Sequence, residues 1–152
     1  MATNNFSSEV SEWVTKTQKR MNVVTAQATN DVMKQASRTM SGVTRGGTLT
    51  KGYVPRDLGT LTNSLVSSLY GSTSITQGEG DFSLVVGSMK AGDVAEFTWT
   101  APYARRMHYG FRGTDSLGRT YNQAGWFWVT EAAAQWQSIV AAAVARARAQ
   151  VR

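Results

Sequence analysis

The chain has 152 residues, 41% of them apolar, which is enough for one domain with a buried core and excludes a disordered chain. The absence of cysteine excludes a disulfide framework, a thiolate metal site and a cysteine nucleophile. The formal net charge of +6 is common among proteins that meet nucleic acid or acidic surfaces, although here the basic residues are spread along the sequence.

A long amphipathic helix is predicted over residues 8–41, capped by Ser8 and ended by Gly42. Its apolar positions recur every three or four residues, the spacing of one helical face: Val10, Val14, Thr17, Met21, Val24, Ala28, Val32, Ala36 and Met40. At about 50 Å such a helix is longer than a domain of this size is wide. We expect either that part of it projects and packs on a neighbouring subunit, or that it breaks near residues 25–29, where β-branched residues weaken it.

Residues 43–56 are rich in Gly, Thr and basic side chains and are predicted to form a loop. A short helix is predicted next, starting at Asp57 and ending at Gly71. Leucines mark its buried face: Leu58, Leu61, Leu65 and Leu69.

Alternation of apolar and polar residues then predicts a three-stranded antiparallel meander. Its strands are a weak edge strand at 73–75, a second at 82–86 and a third at 95–99, joined by turns at 78–81 and 88–93.

A short helix is predicted at residues 103–109, closed by Gly110, followed by a polar loop at 111–125 and a final helix from Trp126. The final helix carries an apolar stripe: Val129, Ala132, Trp136, Val140, Ala143, Ala147 and Val151. The whole pattern predicts an α+β fold in a single domain, residues 1–152. In it a small antiparallel sheet is packed by the long N-terminal helix, the short Leu-rich helix and the C-terminal helix.

Residues that would carry chemistry are scarce. His108 is the one histidine and has no carboxylate near it in sequence, so neither a general base with its partners nor a zinc site is predicted. The glycines form no phosphate-binding motif. We therefore predict no enzyme, no catalytic, cofactor-binding or metal-binding residue and no cofactor. No membrane helix and no secretory signal are expected either.

Positive charge is concentrated in residues 101–119, where four arginines accompany the single acid Asp115. This cluster favours contact with nucleic acid, but the sequence has no helix-turn-helix or zinc-finger signature, and most of its aromatics lie on stripes typical of a core. Non-specific nucleic-acid binding is therefore the weaker alternative. A second cluster, at the end of the final helix, favours cations placed against the helix C-terminus: Arg146, Arg148 and Arg152.

Four short stretches, in this order, resemble one protein family. Residues 55–65 (PRDLGTLTNSL) are similar to its "D-T-G-x-L-x-x-S-I" helix start, and residues 84–88 (LVVGS) to its "V-G-T" strand end. Residues 102–110 (PYARRMHYG) are similar to "Y-A-x-x-x-E-x-G", and residues 124–132 (AGWFWVTEA) to "A-x-P-F-L-x-P-A". The family is that of the tail-completion, or neck, proteins of long-tailed phages, related to the lambda minor tail protein Z. The resemblance covers about residues 50–150.

The resemblance implies a structural virion protein, assembled in the host cytoplasm, that completes the tail and joins it to the DNA-filled head. It implies a homo-oligomeric ring, sixfold in the family, that contacts a tail terminator or tail tube protein and head connector proteins, with genomic DNA in its lumen. Departures from the motifs at Leu58, His108, Gly125 and Trp128 leave the subtype open, so a tail terminator that caps the tube is an alternative.

Two sets of residues follow from this reading. Five are expected at an interface or facing DNA in the lumen: Arg105, Arg106, Tyr109, Arg112 and Arg119. Eight motif residues are expected to have a structural role: Asp57, Gly59, Leu61, Ser64, Tyr103, Ala104, Gly110 and Phe127. The loops at 43–56 and 111–123 are expected to grip adjoining neck proteins.

Overall fold

The computed structural model describes residues 3–41, 49–70 and 75–152, and it is a mixed fold of helices and small sheets, as the sequence predicts. The long N-terminal helix, α1 (Thr3–Ala36), is continuous. It starts before Ser8, whose hydroxyl donates to the carbonyl of Asn5 within the helix. It does not break at residues 25–29: the Thr25 hydroxyl donates to the carbonyl of Met21 one turn earlier, and Ala28 is packed against Ile139 and Ala143.

After α1 the chain forms a two-stranded parallel pair, β1 (Thr39–Ser41) with β2 (Val54–Arg56). The long helix therefore ends at Ala36, earlier than predicted, and residues 54–56 are a strand, not loop. The predicted stop at Gly42 and residues 43–48 of the predicted loop lie outside the described residues.

The predicted Leu-rich helix is wrong in extent. Only one helical turn forms, α2 (Thr60–Asn63), and it is followed by strand β3 (Leu65–Leu69), which pairs on both sides. Leu65 and Leu69 are four residues apart, a spacing that places them on one face of a strand as well as on one face of a helix. Leucine spacing alone could not distinguish the two, and hydrogen bonding to two neighbouring strands decides for the strand. Leu58, expected to be buried, is 90% exposed.

The main sheet is antiparallel with strand order β4-β3-β5, where β4 is Ile75–Gln77 and β5 is Ala95–Trp99. The predicted strand at 82–86 is instead helix α3 (Phe82–Gly87). Phe82, Val85, Val86 and Met89 are buried at helical spacing, while Leu84 is 66% exposed. The prediction of a meander of three successive strands is therefore wrong. The turn at 78–81 joins strand β4 to helix α3.

The C-terminal part contains a short helix, α4 (Ala104–Tyr109), then an antiparallel hairpin of β6 (Gly110–Thr114) and β7 (Thr120–Ala124). The hairpin replaces the predicted loop at 111–125. The final helix is two helices, α5 (Trp128–Ala134) and α6 (Trp136–Gln150), which meet at Gln135. Because the two helices do not share one continuous face, the predicted apolar stripe is not buried as a whole. Val129 and Trp136 of the stripe are exposed, whereas Ile139, which was not in it, is in the core.

Helix α6 runs antiparallel along the second half of α1. Side chains and carbonyls connect the two helices in reverse order: Arg20 Nε donates to the Val151 carbonyl, Gln27 Nε2 to Gln150 Oε1, and Arg146 pairs with Asp31. Between them Ala28, Ile139 and Ala143 form a close-packed cluster. The first half of α1 lies beyond the end of α6, and the side chains of residues 5–15 are all exposed.

Two further hydrophobic clusters complete the interior. One packs α1 and α3 on the main sheet, and the other joins the segments around β2, α2, α4 and α5. In the parts of the chain that the structure describes, no helix combines the length and the apolarity needed to cross a bilayer.

Candidate interface: helix α4 and the hairpin

The five residues expected at an interface all lie in one unit, residues 104–124, which we call the basic unit. It consists of α4 and the β6–β7 hairpin, which follows α4 directly through Gly110. Gly110 has φ 87° and ψ 169°, a backbone conformation that is essentially restricted to glycine. A Cβ there would lie 2.5 Å from the Gln123 carbonyl oxygen and 2.8 Å from the Gly125 nitrogen. The chain can therefore fold back on itself here only because residue 110 has no side chain.

The basic unit is attached to the body through the segment after the hairpin. The backbone N–H of Trp126 donates to the carbonyl of Met107, and that of Phe127 to the carbonyl of His108, both at 3.0 Å. Phe127 holds a left-handed conformation (φ 48°, ψ 38°), which redirects the chain into α5. Gly125 is needed for the same approach, because a Cβ there would lie 2.5 Å from the His108 carbonyl oxygen.

His108 is buried at this junction and packs among aromatic rings. Its ring centroid is 4.5 Å from that of Tyr109, 4.8 Å from that of Trp128 and 5.7 Å from that of Phe127. Its Nε2 accepts the backbone N–H of Val129 at 3.2 Å, so the proton of the neutral ring belongs on Nδ1. Burial lowers the pKa of His108. Neutral, enclosed and bonded to backbone, His108 is placed to order the start of α5.

One face of the hairpin turns toward α4. Phe111 and Tyr121 lie side by side with ring centroids 6.0 Å apart, and the Arg106 guanidinium lies 4.7 Å from the centroid of Phe111. Gln123 Nε2 approaches Met107 Sδ at 3.4 Å. A guanidinium stacked on a ring keeps its charge but loses much of its freedom, so Arg106 is a fixed cation on this surface.

The opposite face of the hairpin carries Arg112, which is exposed and lies across from Asn122 in the neighbouring strand. An open concavity of about 450 Å³ runs along this part of the unit. It is lined by Tyr109, Gly110, Phe111, Arg112, Asn122, Gln123 and Ala124. Tyr109 is 62% exposed, and Arg112 and Asn122 are also exposed, so a ring, a cation and a side-chain amide border the concavity.

The tip of the hairpin is organised by Asp115. Its Oδ1 accepts the backbone N–H groups of Leu117 and Arg119, both at 2.9 Å, and its Oδ2 accepts Arg119 Nε at 2.6 Å and the Tyr121 hydroxyl at 3.1 Å. The hydrogen bonds from Arg119, with those from Tyr121 and Leu117, hold the pKa of Asp115 below its usual value. Arg119 is therefore engaged within the turn.

The remaining arginines differ from Arg119. Neither Arg105 nor Arg112 makes an ion pair with any residue in 3–41, 49–70 or 75–152, and both are exposed. The five residues are thus brought into one unit, with Arg105, Arg106 and Arg112 offering charge, Tyr109 offering a ring, and Arg119 stabilising the turn.

The motif stretches converge on the adjoining core. Leu61 of the first, Ala104 of the third, and Trp126 and Trp128 of the fourth are buried in one cluster with Val54. The second stretch contributes Val86 to the neighbouring cluster, which also holds Ala132 of the fourth.

The other motif residues have local roles or are exposed. Gly59 (φ 86°) is the N-cap residue of α2, and the Ser64 hydroxyl donates to the Leu61 carbonyl. Asp57 is exposed and Tyr103 is 41% exposed, so these two are not part of the convergence.

The chain matches no protein-family model, no curated protein and no solved structure in comparisons with known proteins.

Three features of this region were missed from sequence. The hairpin itself was one, although Phe111 and Tyr121 flanking Asp-Ser-Leu-Gly are a possible signal for it. Asp115 was seen only as a charge. Lys51, whose Nζ lies 5.5 Å from the Phe127 ring centroid, adds a cation from a distant segment that no local pattern could place.

Proposed function

We propose that this chain is a structural protein of a long-tailed phage, which completes the tail and joins it to the DNA-filled head as a subunit of a homo-oligomeric neck ring. The observation that carries the proposal is the set of four motif stretches in family order, all of which contribute side chains to two adjoining core clusters. Such convergence is what a shared fold requires of scattered motifs.

The surface left by that core supports a binding role for this chain. A ring subunit makes repeated head-to-tail contacts with its neighbours, closed by symmetry, and needs further surfaces for the layers above and below. The basic unit is such a surface. Its hairpin is fixed at its base, where Gly110 closely approaches Gln123 and Gly125, and at its tip by Asp115. Its arginines and Tyr109 face solvent. We assign this hairpin to contact with adjoining neck proteins or with DNA in the lumen.

The proposal is tested by locating the chain in the particle. A tagged copy, supplied during infection by the phage that encodes it, would be labelled with gold and imaged on purified virions. Label at the junction of head and tail is the expected result. Label at the tail tip or along the tube, or particles that carry no label although the tagged copy is functional, would contradict the proposal.

Non-specific DNA binding by the free protein is the second candidate function, favoured by Arg105 and Arg112, which are exposed and pair with no acid in the described part of the chain. Each phosphate contact that is lost should reduce the slope of log K against log salt by about 0.9. Arg105→Ala and Arg112→Ala should each reduce this slope, whereas Arg119→Ala, which removes an arginine already paired with Asp115, is the matched control. Tight, salt-dependent binding by a protein absent from virions would favour this second function over the neck.

A further inference from the structure

The first half of α1 exposes large apolar side chains along one face. Phe6 is 76% exposed and Trp13 66%, and Val10, Val14 and Met21 are each at least 40% exposed. Singly exposed apolar residues are ordinary, but a row of them at helical spacing marks an interaction surface. We call this row the α1 stripe.

The α1 stripe continues the face of α1 that α6 already covers. Val24 and Ala28 pack against Ile139 and Ala143 of α6, and the stripe extends the same line toward the N-terminus by multiples of three and four residues. Helix α6 ends beside Arg20, whose Nε donates to the Val151 carbonyl. Beyond that point, about 25 Å of helix has lost its antiparallel neighbour.

We propose that a second copy of this chain fills this place, its own residues 3–20 packing antiparallel on residues 3–20 of the first. The inference does not depend on the proposed neck function. Antiparallel pairing puts Val10 of each copy opposite Trp13 of the other, and Phe6 opposite Thr17, in successive layers of a helix pair. In this register residue 3 of one copy lies opposite Arg20 of the other, which is where α6 ends. The free length of helix thus accommodates the partner without displacing α6.

Charge complementarity selects the second copy and its orientation. Glu9 and Lys16 flank the stripe on the same side, and in the antiparallel register Glu9 of each copy faces Lys16 of the other. A parallel pair in register would set Glu9 beside Val14 and leave Glu9 without a cation from the partner, while Lys16 would keep only the Glu12 of its own helix, whose Oε1 lies 2.8 Å from Lys16 Nζ. The two-fold arrangement therefore forms two ion pairs, and it places the positive N-terminal end of one α1 near the negative C-terminal end of the other copy's α6.

The surface available indicates a weak dimer. A fully buried aromatic side chain removes about 150–250 Å² from water. Because Phe6 is 76% and Trp13 66% exposed in the single chain, the two copies of each would together bury about 400–700 Å² on pairing. Stable interfaces bury about 1,200–2,000 Å², so the valines and the aliphatic parts of the lysines must contribute the rest. We expect dissociation in the micromolar range.

The first measurement is sedimentation of the full chain over a range of concentrations. Dimers that dissociate on dilution are expected, and Trp13→Ser should give a monomer under the same conditions. Trp136→Ser, which alters a half-exposed tryptophan away from the stripe, is the matched control and should leave the dimer intact. A monomer at 200 µM, or a dimer unaffected by Trp13→Ser, overturns the proposal.

Orientation is tested with cysteines, since the chain has none of its own. In the antiparallel register a mixture of the Phe6→Cys and Thr17→Cys chains forms mixed disulfide dimers on mild oxidation, and Phe6→Cys alone does not. Cross-linking of Phe6→Cys to itself indicates parallel pairing and refutes the proposal.

Charge reversal tests the register separately. Lys16→Glu should raise the dissociation constant about tenfold at low salt, because two attractions between the copies become repulsions. The change also removes the Glu12–Lys16 pair within each helix, so the rescue is the decisive part: adding Glu9→Lys in the same chain should restore the affinity without restoring that pair. Lys19→Glu makes the same charge change on the outward face and should have no effect. Equal weakening by Lys16→Glu and Lys19→Glu, or no rescue by the second change, contradicts this pairing.

Discussion

Gly110→Ala is the sharpest test of how the basic unit is built. Residue 110 joins α4 to β6 with φ 87° and ψ 169°, a region that L side chains avoid. The added methyl group would also meet backbone on the opposite strand, 2.5 Å from the Gln123 carbonyl oxygen. Backbone cannot rotate away as the end of a flexible side chain can, so both effects oppose the native arrangement.

The expected loss follows from these two costs. A residue forced into such a conformation costs about 1–3 kcal/mol, and overpacking against fixed atoms costs about 1–3 kcal/mol more. The sum, about 2–6 kcal/mol, is a large part of the about 5–15 kcal/mol that stabilises a domain. For a chain of this length a loss in the middle of that range lowers Tm by about 10 °C.

Urea and thermal unfolding followed by circular dichroism measure this loss. Gly118→Ala is the control in the same hairpin, because Gly118 also has positive φ (76°) but nothing within 4 Å of the added Cβ. It should lose only the conformational cost, about 1–2 kcal/mol. If the two variants are equally stable, the close crossing at Gly110 does not exist in solution.

Three further predictions follow from other parts of the fold. Burial lowers the folded-state pKa of His108, so the neutral ring stabilises the fold fully above the unfolded-state pKa near 6.5, and this stabilisation declines as the pH falls below that value. The urea midpoint should therefore fall between pH 8 and pH 5. His108→Phe should remove the part of this fall that comes from the histidine. Asp115→Ala removes the acceptor at the hairpin tip, so hydrogen exchange of the Leu117 and Arg119 amides should accelerate while that of the core does not; unchanged exchange would contradict the assigned role. Ala143→Leu enlarges a fully buried contact between α1 and α6 and should cost about 1–3 kcal/mol in urea unfolding; a neutral effect would mean that the helices pack less closely than described.

Long helices were the most predictable part of the fold. The repeat of apolar residues from Val10 to Ala36 locates α1, but it cannot tell which part of the stripe another element covers, because α6 arrives from the far end of the sequence. Ala28 is 1% exposed and Met21 53%, although both fit the same periodic pattern. Which residues of an amphipathic helix are buried depends on the elements that pack on it. The periodic pattern alone therefore could not distinguish Ala28 from Met21.

Short elements were less predictable because their patterns fit two structures. Phe82, Leu84 and Val86 alternate as in a strand, yet the burial of Val85 shows that the helical spacing is the one used. In the hairpin, Arg112 lies between Phe111 and Gly113, which is not a clear strand pattern. Its position opposite Asn122 is set by the strand pairing, which composition does not reveal.

The sequence indicated which residues lie in the candidate site better than it indicated what each of them does there. Arg105, Arg106 and Arg112 are near one another in sequence and lie in one unit of the fold, although Arg106 and Arg112 are on opposite faces of the hairpin. That Arg106 stacks on Phe111 and Arg119 is held by Asp115 depends on the hairpin, which was not foreseen. The residue types predicted where positive charge lies, but only the structure shows which arginines already have a partner within the unit.

The neck proposal assigns this chain to a phage, and it is tested most directly by blocking synthesis of the chain during infection and imaging the lysate by electron microscopy. The proposal predicts filled heads lying apart from tails of normal length. Tails of uncontrolled length would identify a tail terminator instead, and intact joined particles would contradict any role in joining head to tail.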